Sequence, residues 1–417
     1  MRLLIVSQYF WPESFIINDL ARTLRDQGHH VVVATGKPNY PDGKIFAGYR
    51  AAGVQKEIYD GNIEVVRVPL RPRGSGGARN LFLNYLSFVC SGLWWFSRLL
   101  REYTFDAILV FAGSPNVSIP AVPLKWIKKA HLAIWVQDLW PESLAATGFI
   151  RSHAVLKLVG LVVRGVYACA DTILVQSPAF TAPVARYARS EKIIYYPNSL
   201  QVAESVGAET ALVPPELLET LQTHFCIVFA GNIGTAQAVE TLVEAAAQLK
   251  NFPEIRMVLV GSGSRLEWVR QQKIERQLDN VILAGRFPSS AMPEIYRHAA
   301  GLLVTLTAEE IFAYTIPSKV QSYLAAGRPI IAALNGEGAR VVIEAGAGLA
   351  CAAGNAPALV DRIKKMYGMS AAEREQMGVA GQRYFLEHFE MRQQAQHLVE
   401  ILEQRIAEKG RIIECAS

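Results

Sequence analysis

Cysteine is scarce and scattered. Cys90, Cys169, Cys226, Cys351 and Cys415 lie far apart with no CxxC pair, so the spacing supports neither a disulfide framework nor a zinc site and fits a reducing compartment. The eight histidines make no spaced cluster, and His29, His131 and His298 read as structural. No basic, apolar and small leader precedes the first apolar run, so the product is expected to be cytosolic. Charge is thin too: 19% of residues are Asp, Glu, Lys or Arg, while 51% are apolar. That balance points to buried parallel sheets or to contact with lipid. The Walker loop and the six-residue dinucleotide fingerprint are both missing, which counts against ATPase and dehydrogenase readings. No recognised nucleic-acid module occurs.

A chain of 417 residues is too long for one ordinary core and predicts two domains. Short β-branched apolar runs recur at 2–7, 30–34, 63–68, 107–111, 131–136, 172–176 and 192–196, then at 225–230, 255–260, 280–284, 301–306, 329–333 and 348–351. Helix-length segments separate them, the pattern of βαβ units. The expected fold is α/β, with two Rossmann-like domains facing each other: residues 1–200, a polar linker at 201–224, and residues 225–390. Charge is uneven between the halves. Residues 1–200 hold 22 Lys/Arg against 13 Asp/Glu, whereas residues 201–417 hold 20 against 24. The basic half is expected to face an anionic surface, a phospholipid or phosphate-bearing lipid.

The tetrapeptide WPES occurs twice, at 11–14 and 140–143, each time after a strand-like run. Ligands of such sheets bind beyond the carboxyl ends of the strands. The two corners could therefore form one wall of a cleft, with Trp as a flat apolar face and Glu as an acceptor for hydroxyls. They could equally be two matching helix starts, with proline near the first position and an acid in the first turn. In the second half, "FAGNIG" and "VLVGSGSR" each end a strand in glycines, where backbone can approach a phosphate or merely turn tightly. "TIPSKVQSYLAAGRPII" places Lys319 in the first turn of a helix, where the dipole disfavours a cation unless an anionic ligand shares the place.

These stretches, with "SQYFWPE", "TGKPNYPDGKIFAGY", "VQDLWPES", "GRFP" and "PSKVQSYLAAGRPI", resemble the retaining glycosyltransferases of the GT-B fold, family 4. Within that family the chain is similar to bacterial enzymes of O-antigen and capsule assembly, the N-acetyl-L-fucosaminyltransferase type in particular. The resemblance implies a nucleotide-sugar donor, usually on UDP, held by the C-terminal domain, and a lipid-diphosphate-linked saccharide as acceptor. It implies donor contacts at Gly231, Asn232, Gly234, Gly261 and Gly263, at Arg286 and Phe287 near the base, and at Pro317, Ser318, Lys319 and Ser322. Arg265 is a second candidate cation for the diphosphate. No metal or other cofactor is implied, and no Asp-x-Asp pair occurs. Asp138 would act near the acceptor, as base or as orienting carboxylate, with Glu13, Ser14, Asn39, Tyr40 and Glu142 as the acceptor wall. Many members carry two glutamates eight positions apart. Here those positions are Tyr314 and Ser322, and Glu310 is the expected replacement carboxylate. A nucleotide-sugar epimerase and a silent sugar-nucleotide-binding protein are the alternatives.

Residues 80–100 form an almost wholly apolar run interrupted by Asn84 and Arg98. It reads as a packed or partly lipid-facing helix rather than a span. Arg67, Arg71, Arg73 and Arg79 before it, and Lys125, Lys128 and Lys129 beside Trp126 after it, suggest peripheral attachment to an anionic membrane surface, on the inner face. By analogy with the fold, the final stretch 391–417 should return to pack on the first domain.

Overall fold

The computed structural model describes residues 1–74, 77–146, 152–201 and 212–416. The chain forms two compact units, Met1–Gln201 with Met391–Ser417, and Val202–Glu390. The first contains β1 (Arg2–Ser7), β2 (His30–Thr35), β3 (Gln55–Tyr59), β4 (Ile63–Arg67), β5 (Ala107–Ala112), β6 (His131–Val136), β7 (Thr172–Val175) and β8 (Ile193–Tyr195). They join in the order β3-β4-β2-β1-β5-β6-β7-β8. All pairs are parallel except β3 with β4. β1 is buried from Leu3 to Ser7 and every residue of β6 is buried, as expected of a sheet covered on both faces. β3 (QKEIY) has no apolar run to announce it. It is a short, half-exposed edge strand carrying Lys56, which blunts the edge.

The second unit contains β9 (Phe225–Asn232), β10 (Ile255–Ser262), β11 (Val281–Gly285), β12 (Gly301–Thr305), β13 (Ile330–Ala333) and β14 (Gly348–Cys351). These run parallel in the order β11-β10-β9-β12-β13-β14. β9 and β10 stay in register from Phe225↔Ile255 to Asn232↔Ser262. The chain winds outward to one side of β9 and then to the other, so the switch point lies at the carboxyl end of β9, where α/β sheets open a crevice. The stretch read as a linker is partly a helix, Pro215–Thr223, with Leu217 and Leu221 buried. Residues 202–211 lie outside the described residues.

Connection direction decides which face each helix covers. Right-handed crossovers running in opposite directions along a sheet put their helices on opposite faces. Ile16–Asp26 connects β1 to β2 and lies on one face. There its Ile17, Leu20 and Leu24 share a core with Leu398 and Leu402 of the last helix, Met391–Ala416. The steps from β4 to β7 run the other way and carry Ala78–Leu99, Ala121–Lys128 and His153–Cys169 on the opposite face. In Ala78–Leu99 the buried residues are Asn84, Phe88, Gly92 and Phe96, a single four-residue stripe. Asn84 belongs to the packing: its amide donates to the Arg71 carbonyl at 2.6 Å and accepts from the Gln8 amide at 2.7 Å. Among the described residues, no helix is long and apolar enough to cross a membrane.

The last helix is therefore part of the first unit's core. Leu398 is fully buried, and Leu398→Ala should cost about 3 kcal/mol. Urea unfolding followed by tryptophan fluorescence should show the loss in the transition that exposes Trp135. The second unit's transition should keep its midpoint.

Candidate active site

At the tips of β9 and β10 the backbone is bare. Gly231 has φ 122° and Gly261 φ 136°. A Cβ on Gly261 would lie 1.9 Å from the Gly231 carbonyl oxygen, and one on Gly231 would lie 2.7 Å from Lys319 Cε. Glycine is required at both places for the strands to end side by side under that lysine. Tyr323 pins the same tip from below: its hydroxyl accepts from Ala230 N at 2.9 Å and donates to Ala230 O at 3.3 Å. The turn beyond is closed by the Gln237 side-chain oxygen Oε1, which accepts from Gly234 N at 3.2 Å and from the Asn232 side-chain amide at 3.1 Å. Gly263 packs against this turn, where a Cβ would stand 2.3 Å from Ile233 O.

An open pocket of about 720 Å³ lies above these tips. Gly231, Asn232, Gly261, Arg286, Phe287, Ser318, Lys319 and Ser322 line it. Ser318 and Ser322 are one turn apart on the helix Ser318–Ala325, whose first turn contains no acid. Lys319 Nζ lies 3.6 Å from the Phe229 ring centroid and, among the described residues, has no hydrogen-bond partner. Burial pushes its pKa down to about 7. An ammonium stripped of water and left unpaired is costly, and an anion in this pocket would remove that cost.

Four expected donor residues take other places. Arg265 turns away: its guanidinium pairs with Glu240 and lies 4.4 Å over the Trp268 ring. Gly234 and Gly263 shape the turns without lining the pocket, and Pro317 caps the helix. Glu310 is also absent from the lining. It is exposed on the short helix Glu310–Ala313 and accepts from the Tyr314 hydroxyl at 2.7 Å. Sequence reasoning missed Ser262, Met292, Tyr296 and Tyr323, which also line the pocket. Tyr323 lies within the "YLAAGRP" stretch. Met292 and Tyr296 share one face of the helix Met292–His298 and carry no glycine or charge signal.

In the first unit the two WPES copies follow β1 and β6, which flank β5, and both Trp–Pro bonds are cis. Their glutamates do different work. Glu13 is buried, and its carboxylate accepts from Phe10 N at 3.1 Å and from Asn39 N and Tyr40 N at 2.7 Å each. Burial raises its pKa to about 7 against the opposing pull of those amides. Asn39 is fully buried and accepts from Arg73 N at 3.0 Å. Neither side chain is available to a hydroxyl, which corrects the acceptor wall expected from sequence. Ser14 is exposed, and Tyr40 reaches the surface under the Arg73 guanidinium, 5.2 Å from its ring centroid. Glu142 opens the helix Glu142–Ala146, 3.7 Å from Arg186. Arg67, read from sequence as a surface cation, is fully buried and donates to the carbonyls of Trp11 and Gly36.

Asp138 follows β6 at the mouth of a small cavity shared with Ser114, Ser118, Trp140 and Tyr167. The Trp140 indole donates to Gly113 O at 3.0 Å and holds the second corner over the end of β5. The Asp138 carboxyl keeps a solvent-facing side, and desolvation by its other neighbours raises its pKa to about 6.

Two family models match: Glycosyl transferase 4-like domain over residues 15–199 and Glycosyl transferases group 1 over residues 224–368. The chain is a GT-B, family 4 glycosyltransferase. Both models describe transferases, which sets aside the epimerase and the silent binder. The enzyme is 24% identical over 342 residues to the Escherichia coli glycosyl transferase WcaI, named for colanic acid biosynthesis, covering 78% of this chain and 82% of that one. Its fold matches sucrose-phosphate synthase from Thermosynechococcus elongatus with TM-score 0.71 at 18% identity, over 98% and 99% of the two chains. It also matches Anabaena HepE in complex with UDP, with TM-score 0.67 at 15% identity, over 97% and 100%.

The Glu13 geometry is directly testable. Glu13→Ala leaves three backbone N–H groups without their acceptor and should cost about 3 kcal/mol or more. Glu13→Gln, which keeps one carbonyl oxygen, should cost less. Denaturant midpoints of the two variants check this ordering, and equal midpoints would show that the carboxylate is not the loop's tie.

Proposed function

We propose that the enzyme is a retaining transferase that moves a sugar from a UDP-activated donor to a lipid-linked saccharide during assembly of a surface polysaccharide of the O-antigen kind. The sugar proposed is an N-acetylamino-deoxyhexose such as L-FucNAc. The observation that carries the donor half is Lys319, a buried amine with no hydrogen-bond partner among the described residues, at the rim of two bare strand tips. HepE in complex with UDP, a match across nearly the whole fold, supports the nucleotide. The name of WcaI supports polysaccharide assembly, and the motif resemblance supports the fucosaminyl type.

In this reading the second unit holds the donor. Bare backbone at Gly231 and Gly261 faces the diphosphate, Arg286 and Phe287 meet the base, and Lys319 with the first turn of Ser318–Ala325 offsets the phosphate charge. The charge is met by protein groups, so the proposal calls on no metal or other cofactor. The bond from the anomeric carbon to the diphosphate oxygen breaks as a bond to the acceptor oxygen forms on the same face. The acceptor hydroxyl proton passes to the departing diphosphate. Asp138, in the first unit, is assigned to the acceptor, whose attacking hydroxyl its carboxylate orients.

Lys319 makes donor binding depend on pH. Its pKa in the free protein is lowered from 10.5 to about 7, so at pH 8 the amine is largely neutral. A bound diphosphate favours the ammonium, so binding takes up a proton and affinity should fall by up to roughly tenfold per unit as pH rises above 7. Calorimetry of UDP in two buffers of different ionisation enthalpy should reveal the uptake. Lys319→Met should abolish it and weaken UDP by about 2 kcal/mol. Pocket affinity that ignores both pH and Lys319 would end this assignment.

Asp138→Asn should leave UDP affinity intact and slow transfer about a hundredfold, roughly 2.7 kcal/mol in barrier. Because the carboxyl pKa is raised to about 6, the wild-type rate should fall on the acid side near pH 6 rather than near 4. The acid limb should vanish in the variant. A pH–rate profile that keeps it in Asp138→Asn would assign it to another group.

A further inference from the structure

We infer that the outer surface of the layer formed by Ala78–Leu99, Ala121–Lys128 and His153–Cys169 is the face on which the first unit docks onto an anionic phospholipid bilayer. The inference rests on the lipid-linked acceptor proposed above and assigns the contact to named side chains. Three observations carry it.

The first is where apolar surface is left uncovered. Among the described residues, 21 large apolar side chains are exposed, and ten of them lie on these helices of 22, 8 and 17 residues. Scattered single exposures are ordinary, but such a concentration marks a contact surface. The inward stripes are already occupied, by Phe88 and Phe96 on the first helix and by Val163 and Val166 on the third. Phe82 (63% exposed), Trp94 (58%), Trp126 (61%), Leu158 (61%) and Leu161 (64%) are therefore outside the packing that holds the layer to the sheet.

The second is charge. No aspartate or glutamate occurs on any of the three helices, while Arg79, Arg98, Lys129 and Lys157, on them or adjoining, are exposed. The Arg98 guanidinium lies 3.9 Å from the Trp94 ring centroid, a pairing of aromatic face and cation that suits the headgroup boundary. Part of the basic cluster visible in sequence is spent elsewhere: Arg67 is buried, and Lys125 pairs with Asp171 at 2.9 Å.

The third is topology. The three helices share one face of the sheet because their crossovers run in one direction, so their outer surfaces belong to one layer. None can span a bilayer, so the contact is a shallow one, along the membrane plane. A second copy of this chain is the weaker occupant. A two-fold contact pairs a patch with itself, and here it would set cations against cations with no acid on the helices to answer them.

The test is co-sedimentation with vesicles of phosphatidylglycerol and phosphatidylethanolamine, beside vesicles of phosphatidylcholine alone. The wild type should bind the anionic vesicles, release on raising salt to about 0.5 M, and show a blue shift of tryptophan fluorescence. The double variant Trp94→Glu/Leu161→Glu should lose about tenfold or more in partitioning. An unchanged urea-unfolding midpoint of the first unit certifies the variant's fold where the substitutions lie, while UDP-induced thermal stabilisation reports the second unit. Unchanged vesicle binding by the double variant overturns the inference, as does a wild type that ignores anionic vesicles. A wild-type dimer that the variant dissociates, with no vesicle binding, assigns the face to a second copy and also overturns it. Absence of UDP stabilisation in the wild type would instead sink the donor reading and leave the vesicle result standing.

Discussion

A lysine amine that burial deprives of water, without a hydrogen-bond partner among the described residues, is the constraint around which the second unit is arranged. Lys319 can occupy its place because Gly231 leaves room for it, and Phe229 offers a ring face to its amine. The parallel register of β9 and β10 then decides that a second bare position, Gly261, stands beside the first. Tyr323 fixes the height of that tip by holding both polar groups of Ala230. Strand register, two positive-φ glycines and one helix start thus converge on a single polar concavity, although each has a structural reason of its own.

The first unit solves a different problem with one tetrapeptide used twice. At β1 the glutamate of WPES is drawn inside, where its carboxylate gathers three amides of two separate loops. Arg67 reaches the same corner from β4 through Trp11 O. At β6 the glutamate stays near the surface beside Arg186, and the tryptophan does the holding through Gly113. The first corner is a locked loop. The second leaves the Asp138 carboxyl at the mouth of a cavity, where partial desolvation raises its pKa to about 6 while one side still faces solvent.

Layer assignment separates the surfaces of the first unit. The helices from rightward and leftward crossovers cannot share a face, so the final helix and Ile16–Asp26 take one side and seal it. The other side carries helices whose inner stripes are narrow, four residues in the longest, and whose remaining apolar residues stay outside. An apolar run that reads as uniform in sequence is therefore divided by the sheet into a packed seam and an uncovered surface.

Sequence alone determined the alternation of buried strands and helices, because parallel strands covered on both faces must be written as continuous apolar runs. It also determined the glycines at the strand tips and the lysine in a first turn, because those backbone and dipole requirements are local. The edge strand β3 was illegible because it is half-solvated and needs no apolar run. Only the tertiary structure decided which charged side chains are free. Glu13 and Glu142 sit in identical tetrapeptides, yet one is consumed by amides 26 and 27 residues away. Arg67, Arg265 and Lys125 are spent on distant partners, and Glu310 faces Tyr314 instead of the pocket. Tyr296 and Tyr323 enter the lining from helices that announce only their own burial. Local sequence sets backbone conformation, whereas desolvation and pairing are set by whichever remote segments the topology brings alongside.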